Sequence, residues 1–327
     1  MAKPLYRAAL MKNYLKRLLL KHLQWKEFPV GDEAIFHYFE KAYGATSLVR
    51  IQAGNVKDRK YEMNTKNGGH FFLRVSSVEK KTLFDLIFAV QTELFRVGCL
   101  PNAPMGVGVC PKGSYLLDSW VSGDTLIKTL SDMGREEQFE KGQQVGLSLR
   151  RIHEASIALD GVPPLSDMFK RVLNRFKKTE YDLFGFRDEM ICEIEEIIRN
   201  MEKMPTVLLH GDFHLNNIIL DEKETPVVID FETLCVGDPL WDIVSIMDSC
   251  RLPHPYHWFN QGFLSVFTDE LSENDWGRMT VYYCFRRVNE YRVFYGRQTN
   301  RLSSPSMWEM YCNFLTHPLE LKKWLLG

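Results

Sequence analysis

The sequence predicts an α+β fold in two lobes, a small and mainly antiparallel sheet with one main helix, followed by a larger and mostly helical lobe. Three observations lead there. The chain has 327 residues, longer than one hydrophobic core usually serves, which favours two packed units. Short β-like runs crowd the stretch from Leu48 to Asp118, with turn residues between them. Beyond Gly123 the apolar spacing turns helical, apart from a β-rich island near Thr206 to Asp230.

Taken in order, the apolar positions Leu5, Ala8, Met11, Leu15, Leu18 and Leu23 recur at helical spacing behind Pro4, so residues 1–29 are expected to hold an amphipathic helix. Seven basic residues between Lys3 and Lys26 are interspersed among its apolar positions. That pattern excludes a secretory signal and reads as a packed helix with solvated lysines. The first lobe is expected over 30–118, with strands from Leu48 to Ala53, Arg59 to Met63, His70 to Val75, Gly106 to Cys110 and Ser114 to Asp118. One helix from Glu79 to Val97 interrupts them, carried by Leu83, Ile87, Val90 and Leu94 and stopped by Gly98 and Pro101.

Residues 119–123 are expected to connect the lobes, and 124–327 to form the second. Its helices are marked by Phe139, Val145, Leu149 and Ile152, then by Met168 to Phe176 and Met190 to Met204. The island follows, with strands expected from Thr206 to His210, Asn217 to Leu220 and Val227 to Asp230. From Asp238 to Gly327 the chain reads as helices rich in Trp, Tyr and Phe.

Composition narrows the function classes. Hydrophobic residues are 45% and charged residues 25%, ordinary for a globular protein, and no apolar run approaches the roughly 20 residues needed to cross a bilayer. No integral membrane association is expected, and the cytoplasm is the expected location. A formal net charge of -1 gives no global reason for a nucleic-acid partner. The seven cysteines are scattered without a CxxC pair, which suits reduced thiols better than disulfides or structural zinc.

The chemistry concentrates in Val207-Leu-Leu-His-Gly-Asp-Phe-His-Leu-Asn-Asn-Ile-Ile-Leu220 and Val227-Val-Ile-Asp-Phe-Glu232. Asp212, Asn217 and Asp230 fall on turns beside short buried strands. Phosphoryl transfer from ATP needs hard oxygen ligands for Mg²⁺, which Asn217 and Asp230 supply, and a carboxylate to orient the attacking hydroxyl and take its proton, which Asp212 supplies.

These two segments resemble the aminoglycoside phosphotransferase and choline kinase superfamily, whose signature is His-Gly-Asp-x-x-x-x-Asn followed by Ile-Asp-Phe or Ile-Asp-Trp. The resemblance implies a protein-kinase-like fold and transfer of the γ-phosphate of ATP to a hydroxyl of a small molecule, with Mg²⁺. It implies Asp212 as the catalytic carboxylate, Asn217 and Asp230 as metal ligands, and Gly237-Asp-Pro-Leu-Trp-Asp242 as a stretch whose Asp242 braces the loop around His210. It places Arg74 on the ATP phosphates, Gly54 and Asn55 in a loop over the nucleotide, and the backbone of Ser119 and Val121 against adenine. An acidic partner for Arg74 is expected on the following helix, with Glu93, Asp85 and Glu79 as candidates. His153 reads as a packed or capping histidine.

Two other classes compete. His210, Asp212 and His214 alternate as on one strand face and offer transition-metal ligands to a hydrolase, although Gly211 breaks that regularity. A pseudokinase-like binding protein would need no intact Asp212, Asn217 and Asp230, all of which are present. The acceptor is left undefined. Asp269, Glu270, Glu273 and Asp275 form an acidic patch, while Arg286, Arg287, Arg292, Arg297 and Arg301 alternate with tyrosines. For those arginines a solvated helix face is preferred to a site for an anionic substrate. Trp241, Trp258 and Trp276 read as core before they read as a cage for a quaternary ammonium.

Overall fold

A period of two sorts the amino-terminal strands into a core face and a cleft face. In the computed structural model, which describes residues 32–52, 58–177, 187–249, 256–267, 271–295, 313–314 and 317–326, β1 (Ala45–Ile51), β2 (Arg59–Thr65), β3 (His70–Ser76), β4 (Pro104–Cys110) and β5 (Gly113–Ser119) form one antiparallel sheet, ordered β1-β2-β3-β5-β4. Tyr61, Met63, Leu73 and Leu117 turn to one side and pack on Ile35 and Phe39 of helix α1 (Asp32–Tyr43). Helix α1 has no counterpart among the sequence expectations. The helix expected within residues 1–29 lies outside the described residues, as do Gly54 and Asn55.

The opposite face of the sheet carries polar groups in register. Lys60, Arg74 and Leu116 stand in one row across β2, β3 and β5, with Glu62, Phe72 and Asp118 in the next. Helix α2 (Lys81–Arg96) buries Phe84, Ile87, Val90 and Leu94. The same hydrophobic cluster takes in Leu116 and continues to Leu149, Phe213, Trp241 and Tyr282, so one core spans both lobes.

Past the connector, β6 (Gly123–Thr125) is followed by α3 (Arg135–His153), α4 (Leu165–Lys177), α5 (Arg187–Asn200) and β7 (Val207–Leu209). Then come β8 (Ile218–Asp221), β9 (Pro226–Val228), β10 (Cys235–Gly237), α6 (Leu240–Ser249), α7 (His257–Ser265), α8 (Glu273–Tyr295) and α9 (Pro318–Leu326). The island is therefore two small antiparallel sheets, β6-β8-β9 and β7-β10. Strands β6 and β10 were not expected, because three residues each, including Gly123 and Gly237, are too short to show alternation.

Helices α3 and α7 meet backbone to backbone. A Cβ on Gly142 would stand 2.1 Å from the Phe259 carbonyl oxygen, and one on Gly262 would stand 1.9 Å from that of Phe139. This contact sets the position of the last residue of α3, His153, which reaches the site.

Candidate active site

Strand β7 delivers a loop that only glycine can begin. Gly211 has φ +83, and a Cβ there would lie 2.1 Å from the Thr233 carbonyl oxygen. Asp242, in the first turn of α6, is fully buried and holds the loop by its backbone. Its Oδ2 accepts from the His210 N–H at 2.8 Å and its Oδ1 from the Gly211 N–H at 2.9 Å. Trp241 Nε1 donates to the Gly211 carbonyl at 3.0 Å. His153 Nε2 lies 3.1 Å from Asp242 Oδ2, so this buried histidine steadies the brace.

The His210 ring is buried between Phe213 and Phe231. Its Nε2 donates to the Ile229 carbonyl at 2.9 Å and its Nδ1 accepts from the Asp212 N–H at 3.3 Å. That network assigns the neutral ring with its proton on Nε2. His214 turns elsewhere, with Nδ1 accepting the Asn216 N–H at 3.2 Å and Nε2 at 3.3 Å from Asp212. The metal-hydrolase alternative fails on this geometry, since both nitrogens of His210 are committed to the backbone and cannot turn to a metal shared with His214.

Asp212 and Asn217 are held by the same loop. Asn217 Nδ2 donates to the Asp212 carbonyl at 3.0 Å, which leaves its amide oxygen as the atom for a cation. The Asn217 carbonyl accepts the Ile229 N–H at 2.9 Å, joining the loop to the residue before Asp230. The Asp212 side chain is 43% exposed. Burial pushes its carboxyl upward, but the hydrogen bond from His214 and the charge of Arg286 outweigh this and hold it below the usual carboxylate value.

Asp230 sits at φ 66, ψ 65, a left-handed conformation that a non-glycine residue adopts at some strain. Its carboxylate takes both arms of Arg74, at 3.0 Å from Nη1 and 2.8 Å from Nη2, with Lys60 at 3.6 Å. Burial opposes ionisation, yet Arg74 and Lys60 hold this carboxyl down at about 2. Arg74 is only 4% exposed and also faces Glu232 at 3.5 Å and Asp58 at 3.8 Å. Lys80 bridges Asp58, at 3.1 Å, and Glu232.

The acidic partners of Arg74 thus come from β9's outflow and the approach to β2, not from α2. The three candidates on or before that helix are engaged locally: Glu93 with Arg96, Asp85 with Lys81 and Glu79 with Ser77. Lys60 was recoverable from the β2-β3 register, which sets it opposite Arg74. Asp58, Lys80 and Glu232 had no such signal.

At the connector, the Ser119 N–H donates to the Ala103 carbonyl at 2.9 Å and its hydroxyl accepts the Ala103 N–H at 2.9 Å. The expectation that Ser119 offers its backbone to a base therefore does not extend to its N–H. Val121 and Ser119 line a cavity of about 250 Å³, together with Asn102 and Lys223. Close by in the sheet, burial raises Asp118 to about 7, with Arg74 opposing the rise and Asp230 adding to it. Its Oδ1 has no hydrogen-bond partner among the described residues.

Arg286 corrects the solvated-face reading at one position. Its side chain is 11% exposed and its guanidinium lies over the Trp241 ring, 4.9 Å from the centroid, with Nη2 3.9 Å from Asp212 Oδ1. Arg297 and Arg301 fall outside the described residues. Trp241 and Trp276 are buried, as core residues should be, while Trp258 is 39% exposed.

Comparison with known proteins places these features. The model of a family described as the phosphotransferase enzyme family matches residues 48–281. Aminoglycoside 3'-phosphotransferases of Salmonella typhimurium and of Escherichia coli are each 28% identical over 153 residues, 43% of this chain and 54% of theirs. The chain spans about half the length of these curated relatives. Among solved structures, a thermostable variant of aminoglycoside phosphotransferase APH(4)-Ia, in ternary complex with ADP and hygromycin B, aligns with a TM-score of 0.61 at 16% identity, covering 87% of this chain and 98% of that one. APH(3'')-Id from Streptomyces rimosus aligns with a TM-score of 0.58 at 15% identity, covering 79% and 98%. These likenesses establish the bilobal, protein-kinase-like fold.

Proposed function

The chain belongs to the phosphotransferase enzyme family, and from that premise we propose that it transfers the γ-phosphoryl group of ATP to a hydroxyl of a small molecule. One observation carries the reading: Asn217 donates to the carbonyl of an ionised Asp212 and accepts the Ile229 N–H, so the loop from β7 is tied to the turn after β9, where Arg74 grips an ionised Asp230. The ADP complex of the APH(4)-Ia relative supports a nucleotide in the same fold.

In this reading Asp212 orients the acceptor hydroxyl and takes its proton as the oxygen attacks the γ-phosphorus and the bond to the β-phosphate oxygen breaks, releasing ADP. Arg74 and Lys60 hold phosphate oxygens. Asn217 and Asp230 would hold Mg²⁺, and the donor set fits: a carboxylate kept ionised and an amide whose nitrogen is already engaged. Mg²⁺ keeps several water and phosphate ligands, so two protein donors suffice. Bound there, it neutralises charge on the phosphates. Asp242 and His153 position Asp212 through the loop backbone, and Val121 with the Ser119 carbonyl faces the base.

The test is thermal stability with ATP or GTP, with and without Mg²⁺, followed by transfer assays with Asp212→Asn. Mg-dependent stabilisation by a nucleotide is expected, and the variant should lose roughly 10³-fold in kcat while still binding nucleotide. Unchanged turnover in Asp212→Asn would remove the role given to Asp212.

A further inference from the structure

The cleft face of the amino-terminal sheet is ordered in rows. Ile51, Lys60, Arg74 and Leu116 are paired across β1, β2, β3 and β5, and Val49, Glu62, Phe72 and Asp118 form the next row. Residues directly opposite one another present their side chains on the same face. Two residues of strand separate the rows, about 7 Å, and the second row is the nearer to the connector, which Asp118 immediately precedes. A nucleotide with its phosphates on Arg74 and its base at the connector therefore lays that base along the second row.

The row is suited to a base. Val49, 55% exposed, and Phe72 offer it apolar cover. Glu62 is held by His70, whose Nε2 lies 2.8 Å from its Oε1. At the inner end stands Asp118, partly buried, whose Oδ1 is itself buried and has no hydrogen-bond partner among the described residues. A buried acceptor without a donor is costly, and its presence calls for a ligand that brings one.

The two purines differ at the edge that faces this carboxyl. Adenine shows the N6 amino group beside the acceptor N7, whereas guanine shows two acceptors, O6 and N7. The adenine amino group has two hydrogens, and when the Ser119 carbonyl takes one, the other points away from the connector. Burial raises the Asp118 carboxyl to about 7, with Arg74 opposing the rise and Asp230 adding to it, so both charge states occur near neutrality. Both read the edge alike. Ionised, the group accepts the N6–H, and neutral, it accepts the N6–H and donates to N7. Toward guanine the ionised group meets only acceptors, and the neutral group makes one bond while its carbonyl oxygen faces an acceptor.

We propose that Asp118 selects the nucleotide, favouring adenine over guanine by accepting the N6–H that the connector leaves free. This rests on the phosphotransferase reading and adds to it the residue that chooses between ATP and GTP.

The experiment keeps the two claims apart. Kd values for Mg-AMP-PNP and Mg-GMP-PNP are obtained from the rise in melting temperature with ligand concentration. No stabilisation by either brings down the phosphotransferase reading and this proposal with it. The natural protein is expected to bind AMP-PNP tighter by about tenfold or more, and equal binding, or tighter GMP-PNP, overturns the proposal while the enzyme reading stands. Asp118→Asn, whose amide carries one acceptor and one donor, should keep the preference, and its loss there overturns the proposal. Asp118→Leu, close in size and without either group, should bring the two Kd values to within about threefold of each other. A purely structural role for Asp118 would weaken both nucleotides together and leave their ratio unchanged, and that outcome also overturns it. Should Asp118→Leu fail to melt cooperatively, Asp118→Ala takes its place with the same expectation.

Discussion

Asp242 accepts the Gly211 N–H at 2.9 Å, and the same carboxylate takes the preceding His210 N–H at 2.8 Å. One buried side chain thus fixes two consecutive peptide groups just ahead of Asp212. The negative charge is well placed for this, at the amino end of α6 where the helix dipole favours an anion.

Asp242→Ala leaves both N–H groups buried without a partner, at about 1 to 3 kcal/mol each. The variant should unfold at lower urea with an unchanged slope, and its kcat should fall on the order of 10²-fold as Asp212 shifts. Asp242→Asn, which can accept only one of the two bonds through oxygen, should lie between.

Arg74→Met strands Asp230 beside Glu232 and Asp58. Loss of one partner from a buried pair destabilises by about 3 kcal/mol, readable by urea unfolding. Arg74→Lys keeps the charge but not the two-armed grip, so it should recover part of the stability and raise the KM for ATP several-fold, as expected where a bidentate site receives an ammonium.

Acid should weaken the protein through Asp230. Its folded value of about 2 lies below the unfolded value near 4, so this stabilisation is present above about pH 4 and is lost as pH falls through about 2. It amounts to about 2 kcal/mol. Urea midpoints measured from pH 5 to pH 2.5 should fall more steeply for the natural protein than for Asp230→Asn.

Asp118 should act with the opposite sign. Its folded value of about 7 lies above the unfolded value near 4, so the folded protein holds a proton that the unfolded chain releases. Stability on this account falls as pH rises from about 4 to about 7, by about 3 kcal/mol. Asp118→Asn should therefore be more stable than the natural protein at pH 8 and close to it at pH 4, by the same unfolding measurement.

The architecture and the loop residues were readable because their signals are local. Strands β2, β3 and β5 alternate, α2 repeats Ile87, Val90 and Leu94 at helix spacing, and Asp212, Asn217 and Asp230 lie within a short stretch of chain. What escaped depends on contacts between distant segments. Arg74 and Glu232 are joined only when β3 meets the turn after β9, and Arg286 becomes a cleft residue only when α8 packs on Trp241. Helix α1 escaped for a different reason: it buries only Ile35 and Phe39, too few positions to set a period.

The double hydrogen bond between Arg74 and Asp230 makes the cleft its own occupant. On the proposed function, a nucleotide that arrived alone would draw Arg74 away and leave Asp230 with Lys60 only, and a divalent cation that arrived alone would leave Arg74 with Glu232 and Asp58 only. Arriving together they would exchange partners with the pair, as two salts do in a metathesis, the carboxylate taking the cation and the guanidinium the phosphate. On the proposed function, cation and nucleotide would thereby be coupled thermodynamically, each tightening the binding of the other by the same factor, before any acceptor has entered.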